Sequence, residues 1–407
     1  MEESRLIRAR ARDNCSATAS PVIPFGIEEM MLSFGRNYVP RLVSTLRTPA
    51  MLIDVEKLQN NCKKMQDRCK HMNVALRPHM KAVKTREVGC FMTNGSRQRI
   101  VVSNMAEAKF YADGGFDDIL LAAPITQNKL ESARELMSQL DAFHVTTDNM
   151  TVLNAIARTP PADGKRWSVV LKLNVGSARC GVEPSDPAAL QLARAINDST
   201  NIKFAGVYAY CGHCYDYSRP DEISKAAARV KNKTTAFAKR LESENIECPI
   251  VGVFTTPACT FATCDMTGVT EVHPGSFAFN EFDVVRTGAC SEEDIAVSVL
   301  TTVVGHYPKT GHMIIDAGWT AISVHKGDDD VGFGRFIGAP ELRVTKIYQE
   351  VAKVESISGH LNFQKYPIGS TIRLLPFMSY AVAVLHPVHY AVNGDLVVDE
   401  WMPVKGW

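Results

Sequence analysis

The chain has 407 residues, 45% hydrophobic, 22% charged and 8% aromatic, an ordinary globular composition. Its 45 Lys plus Arg balance 44 Asp plus Glu, for a formal net charge of +1, which argues against a basic nucleic-acid clamp or an acidic solvating tail. No apolar run approaches the roughly 18 residues of a membrane span, so neither nucleic acid nor membrane is an expected partner, and at roughly 150 residues per domain two or three domains are expected.

Residues 1–45 differ from the rest. Arg5, Arg8, Arg10 and Arg12 stand among small and polar residues, slightly like a mitochondrial presequence, although Glu2, Glu3 and Asp13 weaken the likeness. The segment is read as an N-terminal extension. The expected compartment is cytoplasmic, with mitochondrial as the alternative.

From residue 50 onward, short apolar runs alternate with amphipathic stretches. Strands are predicted at 75–80, 100–103, 119–123, 142–146, 168–175, 203–210, 249–255 and 269–273. Helices are predicted at 84–94, 105–114, 127–139, 149–158, 186–198 and 221–244. Strand candidates separated by helices over about 200 residues are the pattern of an α/β chain folded as a (β/α)₈ barrel, with its active site at the C-terminal strand ends. A doubly wound sheet is the alternative. After residue 295 the rhythm changes to strand-like runs at 297–304, 312–315, 341–348, 371–375, 380–385 and 396–401, with no predicted helix. The expected organisation is an extension over 1–45, a barrel over 46–295 and an all-β domain over 296–407.

The strand ends carry the candidate chemistry. The first strand runs into Arg77-Pro78-His79-Met80-Lys81. A lysine at a barrel mouth is a candidate Schiff-base amine, since desolvation lowers its pKa; Lys84 competes for that role. The fifth runs into a Gly176–Val182 loop that can aim Arg179 inward. The sixth ends at Tyr210. Thr255-Thr256-Pro257 and Pro274-Gly275-Ser276-Phe277 follow the seventh and eighth, small and hydroxylated as a phosphate site requires. The 11 cysteines read as reduced thiols. Cys211-Gly212-His213-Cys214 has the spacing of a disulfide oxidoreductase, which leaves a thiol–disulfide role open.

These segments, with Arg47–Asp54, Tyr208–Tyr215, Ile315–Trp319, Gln349-Glu350 and Glu400–Trp407, together resemble the fold-type III pyridoxal 5′-phosphate (PLP) enzymes of the D-threonine aldolase and D-serine dehydratase group. That family has an alanine-racemase-like barrel followed by a β domain. The resemblance covers about residues 45–407. It implies PLP as cofactor, Lys81 as its Schiff-base residue, Arg179 beside its phenolic oxygen, Tyr210 packed at cofactor and substrate, and Thr255, Thr256, Gly275 and Ser276 around its phosphate. It also implies a homodimer acting on a small amino acid.

The sequence departs from the family at several positions. Val83 and Val351 stand where the family has histidines, Phe277 where it has Tyr and Phe254 where it has Gly. Met378 and Tyr380, after Pro376, occupy the positions of the family's metal ligands, and a thioether and a neutral phenol are poor partners for zinc, calcium or manganese. A divalent metal is therefore doubtful and no metal ligand is assigned; His386 and His389 are the nearest candidates for a displaced site. Three functions follow. The first is a lyase of a D-3-hydroxy amino acid, with Lys81 as α-proton base, Tyr210 at the reacting centre, and Tyr380 or His386 replacing the metal as acid. The others are an amino-acid racemase or epimerase with Tyr380 as second base, and a PLP-binding protein without lyase activity.

Overall fold

The protein is described from a computed structural model, over residues 38–162, 164–263 and 265–407. The extension up to residue 37, with its arginines and Cys15, lies outside the described residues, as does Cys264.

Eight parallel strands form the first unit: β3 (Ala75–Leu76), β4 (Gln98–Val102), β5 (Asp117–Pro124), β6 (Phe143–Thr147), β7 (Trp167–Leu173), β8 (Ile202–Ala209), β9 (Ile250–Val253) and β10 (Glu271–Val272). Each pairs with the next, and β10 pairs with β3. A parallel bridge between His79 and Val101 joins β3 to β4 and completes the ring. Strand residues alternate faces. Val101, Leu120, Ala122, Val170, Ala205 and Tyr208 fill the barrel, while Ile100, Val102, Ile119, Leu121, Val145, Val169, Leu171 and Val207 pack outward in the main core. Burial on both faces is why these strands read as unbroken apolar runs.

The outer helices include α1 (Val55–His71), α2 (Arg86–Met92), α3 (Met105–Asp113), α4 (Leu130–Gln139), α5 (Met150–Arg158), α6 (Pro187–Asn197) and α7 (Pro220–Ser243). Local chemistry starts several of them. Asp54, Asn104 and Asn149 accept the N–H of Lys57, Glu107 and Val152 at 2.9–3.0 Å, and Pro187 and Pro220 open α6 and α7, where a missing N–H is harmless. Between the seventh and eighth strands, where no helix is predicted, only the six-residue α8 (Thr256–Phe261) lies, followed after β10 by α9 (Phe282–Arg286).

The second unit is a sheet ordered β1-β18-β17-β2-β11-β12-β15-β14, with β16 pairing both β11 and β13. Its members are β1 (Arg41–Leu42), β2 (Ala50–Asp54), β11 (Val297–Tyr307), β12 (His312–Ile315), β13 (Gly334–Phe336), β14 (Leu342–Ile347), β15 (Ala352–Ser356), β16 (Thr371–Pro376), β17 (His389–Asn393) and β18 (Leu396–Trp401). The strand β2 sits between β11 and β17, so the chain enters this sheet before it builds the barrel.

One expectation fails here. The sequence pattern predicts no helix after residue 295 and a strand at 380–385. The structure instead has α10 (Trp319–Ile322) and α11 (Ser379–Leu385). A short apolar run such as Tyr-Ala-Val-Ala-Val-Leu satisfies either period. The C-terminal tail favours the helix: Lys405 Nζ donates to the Val384 and His386 carbonyls, which a helix end leaves without partners. Tyr380 therefore stands in the first turn of a helix.

Candidate active site

Lys81 lies in a tight turn, Met80–Ala82, just beyond β3. Its backbone N–H donates to His79 Nδ1 at 3.4 Å. The side chain reaches a cavity of 220 Å³ lined by His79, Lys81, Tyr210, Tyr215, Thr255, Thr256, His273, Gly275, Ser276, Glu281, Asp283 and Tyr380. Lys81 Nζ stands 5.7 Å from the centre of the Tyr210 ring and 6.0 Å from that of Tyr380. Burial lowers the Lys81 pKa, and the nearby Arg179 lowers it further. The amine is thus biased toward its neutral, nucleophilic form. The competing Lys84 is an ion-pair partner instead. It bonds buried Glu107, which also accepts the Ser103 N–H at 2.6 Å.

Arg179 lies across the face of Tyr210, with its guanidinium carbon 4.3 Å from the ring centre. Gly181 makes this loop possible: its φ is +104°, and a Cβ there would stand 2.5 Å from the Leu173 carbonyl carbon. Burial raises the Tyr210 phenol pKa, opposed by Arg179.

At the opposite side, hydroxyls form a chain. Tyr215 Oη and Ser276 Oγ are 2.7 Å apart, Ser276 Oγ donates to Thr256 Oγ1 at 3.3 Å, and the Phe277 N–H donates to the same oxygen at 3.2 Å. Gly275 lets this loop approach the lysine turn, since a Cβ would meet the His79 carbonyl oxygen at 2.7 Å. Phe254, just before Thr255, has φ +82° and is buried. A glycine would hold that backbone without strain.

Every sequence-derived cofactor candidate except Arg179 lines the cavity directly, and Arg179 reaches it through Tyr210. Tyr215, His273, Glu281 and Asp283 also line the cavity, and the sequence pattern assigns them no role. The signal for the last two was available: Asn280-Glu281-Phe282-Asp283 places two carboxyls in an otherwise apolar stretch just past the Gly275-Ser276 loop. Glu281 is 2% exposed. Burial and the neighbouring Asp283 push its carboxyl pKa up to about 8.

The metal implied by the resemblance does not fit these residues. The Tyr380 phenol is pushed up to about 12 by burial and by Glu281, which opposes deprotonation to a ligand. His386 Nε2 donates to the Ala321 carbonyl at 3.0 Å and His389 Nε2 to that of Ala383 at 2.9 Å. Among the described residues no group of three or more His, Cys, Asp or Glu is placed to hold a metal ion.

Cys211 and Cys214 are fully buried. They lie in and before the 3₁₀ turn Gly212–Asp216, with Cys211 Sγ 3.5 Å from Thr255 Oγ1. Its hydrogen bond with Cys211, and then burial, raise the Cys214 thiol pKa, while hydrogen bonds from Cys214 and Thr255 lower that of Cys211 against its burial. Neither sulfur is presented to a protein disulfide, and both lie within the main hydrophobic core.

Comparison with known proteins agrees with this architecture. The alanine racemase N-terminal domain matches residues 53–281, and a putative serine dehydratase domain matches residues 296–392. The chain belongs to the alanine racemase fold family. Within it, the D-serine dehydratase of Dictyostelium discoideum is 33% identical over 389 residues, covering 90% of this chain and 98% of that protein. The solved D-threo-3-hydroxyaspartate dehydratase from Delftia sp. HT23 superposes with a TM-score of 0.86 at 29% identity, covering 90% of this chain and all of that one. D-threonine aldolase from Filomicrobium marinum gives 0.78 at 26% identity, covering 91% and 97%. In this family setting, a barrel and a strand-rich second unit meet around one cavity: Lys81 comes from the first and Tyr380 from the second.

Proposed function

We propose that this chain is a PLP-dependent lyase of a D-3-hydroxy amino acid, with Lys81 as the Schiff-base residue and the base for the α-proton. One observation carries the reading: the buried Lys81 amine, its pKa lowered, lies in one cavity with the Tyr215–Ser276–Thr256 hydroxyls. When bound, PLP supplies an electron sink for the pair left at Cα. The protein does the rest. Thr255, Thr256, Gly275, Ser276 and Tyr215 receive the phosphate, Arg179 faces the phenolic oxygen, and Tyr210 packs against the ring. Lys81 Nζ removes the Cα proton, and its lowered pKa favours the unprotonated form that this step needs.

A racemase needs a second base opposite Lys81. Tyr380 is the phenol placed there, but with its pKa pushed up to about 12 it keeps its proton at neutral pH. It suits a donor's role, which favours the lyase. The homodimer implied by the resemblance is retained as part of the proposal, as is a cytoplasmic location; no helix among the described residues is long and apolar enough to cross a membrane.

Protein loaded with PLP is expected to show a visible absorbance band that borohydride removes and that Lys81→Ala lacks. It is expected to release ammonia with a 2-oxo acid, or an aldehyde, from D-3-hydroxy amino acids. Deuterium exchange at Cα without either product would replace the lyase by a racemase. A band with none of these would leave a PLP-binding protein, and no band would end the PLP assignment.

A further inference from the structure

Loss of a β-hydroxyl needs a proton for the departing oxygen or a Lewis acid to hold it. Met378 and Tyr380 supply no such metal. The cavity that holds Lys81 and Tyr380 is lined by a further group, to which the sequence pattern gives no role. Glu281 lines the cavity and is fully enclosed, and the backbone N–H groups of Ser379 and Tyr380, at the start of α11, are near enough to favour its charged form. Its Oε2 is buried without a hydrogen-bond partner. Leaving a carboxyl oxygen unpaired in a buried site is costly, so its place in the cavity of the candidate lysine asks for a function.

We propose that Glu281 is the general acid that protonates the leaving β-hydroxyl, in place of the family's metal, so that this chain catalyses dehydration rather than aldol cleavage. The inference rests on the lyase reading above. It also separates the two lyase reactions. Retro-aldol cleavage begins by removing the β-hydroxyl proton, whereas dehydration delivers one. The groups around Glu281 favour a proton donor: burial and Asp283 disfavour its charge and outweigh Lys81 and the two helix N–H groups. Tyr215, Tyr380 and Cys290 also face it, all with pKa values raised partly by Glu281 itself.

The step balances without an oxidant or a metal. Lys81 Nζ takes the Cα proton and the Cα–H electron pair becomes the Cα=Cβ bond. The Cβ–O bond breaks, its electron pair goes to oxygen, and the Glu281 proton completes a water molecule. The enamine product tautomerises to an imine, and one solvent water hydrolyses it to a 2-oxo acid and ammonia. The proton held by Lys81 returns to Glu281 through solvent before the next turnover.

The test uses PLP-loaded enzyme with D-serine and with β-chloro-D-alanine, whose chloride departs without a proton. Glu281→Gln is expected to lower kcat for D-serine by about 10²–10⁴-fold, the usual worth of a general acid. The same variant should keep chloride elimination within about threefold and keep deuterium exchange at Cα, both of which report a folded, loaded site with Lys81 working. Glu281→Asp should restore part of the D-serine rate. Equal losses with both substrates, or D-serine turnover kept by Glu281→Gln, would overturn the assignment. Aldehyde release from D-threonine in place of a 2-oxo acid would overturn the preference for dehydration. Wild-type enzyme inert to both D-serine and β-chloro-D-alanine would instead remove the lyase reading on which the proposal stands.

Discussion

Lys172 holds its ammonium nitrogen 3.4 Å from the centre of the Tyr208 ring, inside the barrel. It is 2% exposed and donates to the Ala122 carbonyl at 3.1 Å. Burial pulls its pKa down to about 7. The unfolded lysine keeps its proton to about pH 10.4, so between about pH 7 and 10 the unfolded state binds more protons. Stability contributed at this site therefore rises with pH across that window, and the burial cost is fully present below pH 7. Lys172→Met is expected to stabilise the protein by about 1–3 kcal/mol at pH 6–7, with the gain shrinking toward pH 10. The Ala122 carbonyl keeps a partner in Thr146 Oγ1 at 3.2 Å. Denaturant midpoints at pH 6.5 and 9.5 check this; a destabilised variant at the lower pH would show that the cation–π contact outweighs the burial.

Near the N-terminal ends of several barrel strands, a second buried group is charged. Arg77 bonds Glu271 at 2.7 Å and Asp118 at 2.6 Å. His144 Nε2 meets Asp118 at 3.1 Å, and His273 Nε2 meets Glu271 at 2.8 Å. Although burial opposes it, these partners lower both carboxyl pKa values to about 2. Their stabilisation is fully present above the unfolded carboxylate pKa near 4 and is lost as pH falls toward 2. Arg77→Met leaves buried Glu271 and half-buried Asp118 without their guanidinium, with Arg99 still 3.8 Å from Asp118, and should cost about 3–5 kcal/mol at pH 7. The loss should be smaller near pH 3, where protonation relieves it. Urea titrations at both pH values test this; an equal loss at each would mean that Arg77 acts through packing alone.

How much of this could be read in the sequence depended on periodicity. The barrel strands were legible because Val169-Val170-Leu171 and its like are buried on both faces. The lysine and the two hydroxyl loops were legible because they follow strands directly. Tyr380 was placed on a strand because a six-residue apolar run has no decisive period, and its helix depends on Lys405, 25 positions later in the chain. Strand β2 joins the second sheet through pairings with β11 and β17, a relation that no local pattern encodes. Glu281 escaped for a related reason: a carboxyl in sequence looks solvated, and only the fold shows that Ser379 and Tyr380 enclose it.

The hydroxyl chain of the cavity makes a graded prediction for cofactor affinity. Ser276 Oγ joins Tyr215 to Thr256. A hydrogen bond to a charged phosphate is worth about 1.5–3 kcal/mol. Ser276→Ala is expected to weaken PLP binding by about 10–150-fold, without moving the absorbance maximum of what remains bound. Tyr215→Phe keeps the ring and removes only the outer link of the chain, so its loss should be smaller. Equilibrium dialysis against PLP ranks the two, and a larger loss for Tyr215→Phe would place the phosphate nearer the tyrosine.

The cysteines supply a last discrimination. Cys211 and Cys214 are fully buried, whereas Cys180, Cys248 and Cys290 are partly exposed. Thiolate exchange needs both access and a low pKa. Burial pushes Cys248 and Cys290 up to about 12, so slow labelling is expected even at these two. Cys180 sits beside Arg179 in the Gly176–Val182 loop and should label first with a thiol reagent at pH 8. PLP, held by Arg179 in the proposed site, should slow that reaction. Cys211 and Cys214 should label only on unfolding, and the Cys211→Ser/Cys214→Ser double variant should keep lyase activity within about threefold. Peptide mapping of the labelled protein decides the matter. Rapid native labelling of Cys211 or Cys214, or loss of activity with dithiothreitol, would return the thiol–disulfide reading to consideration.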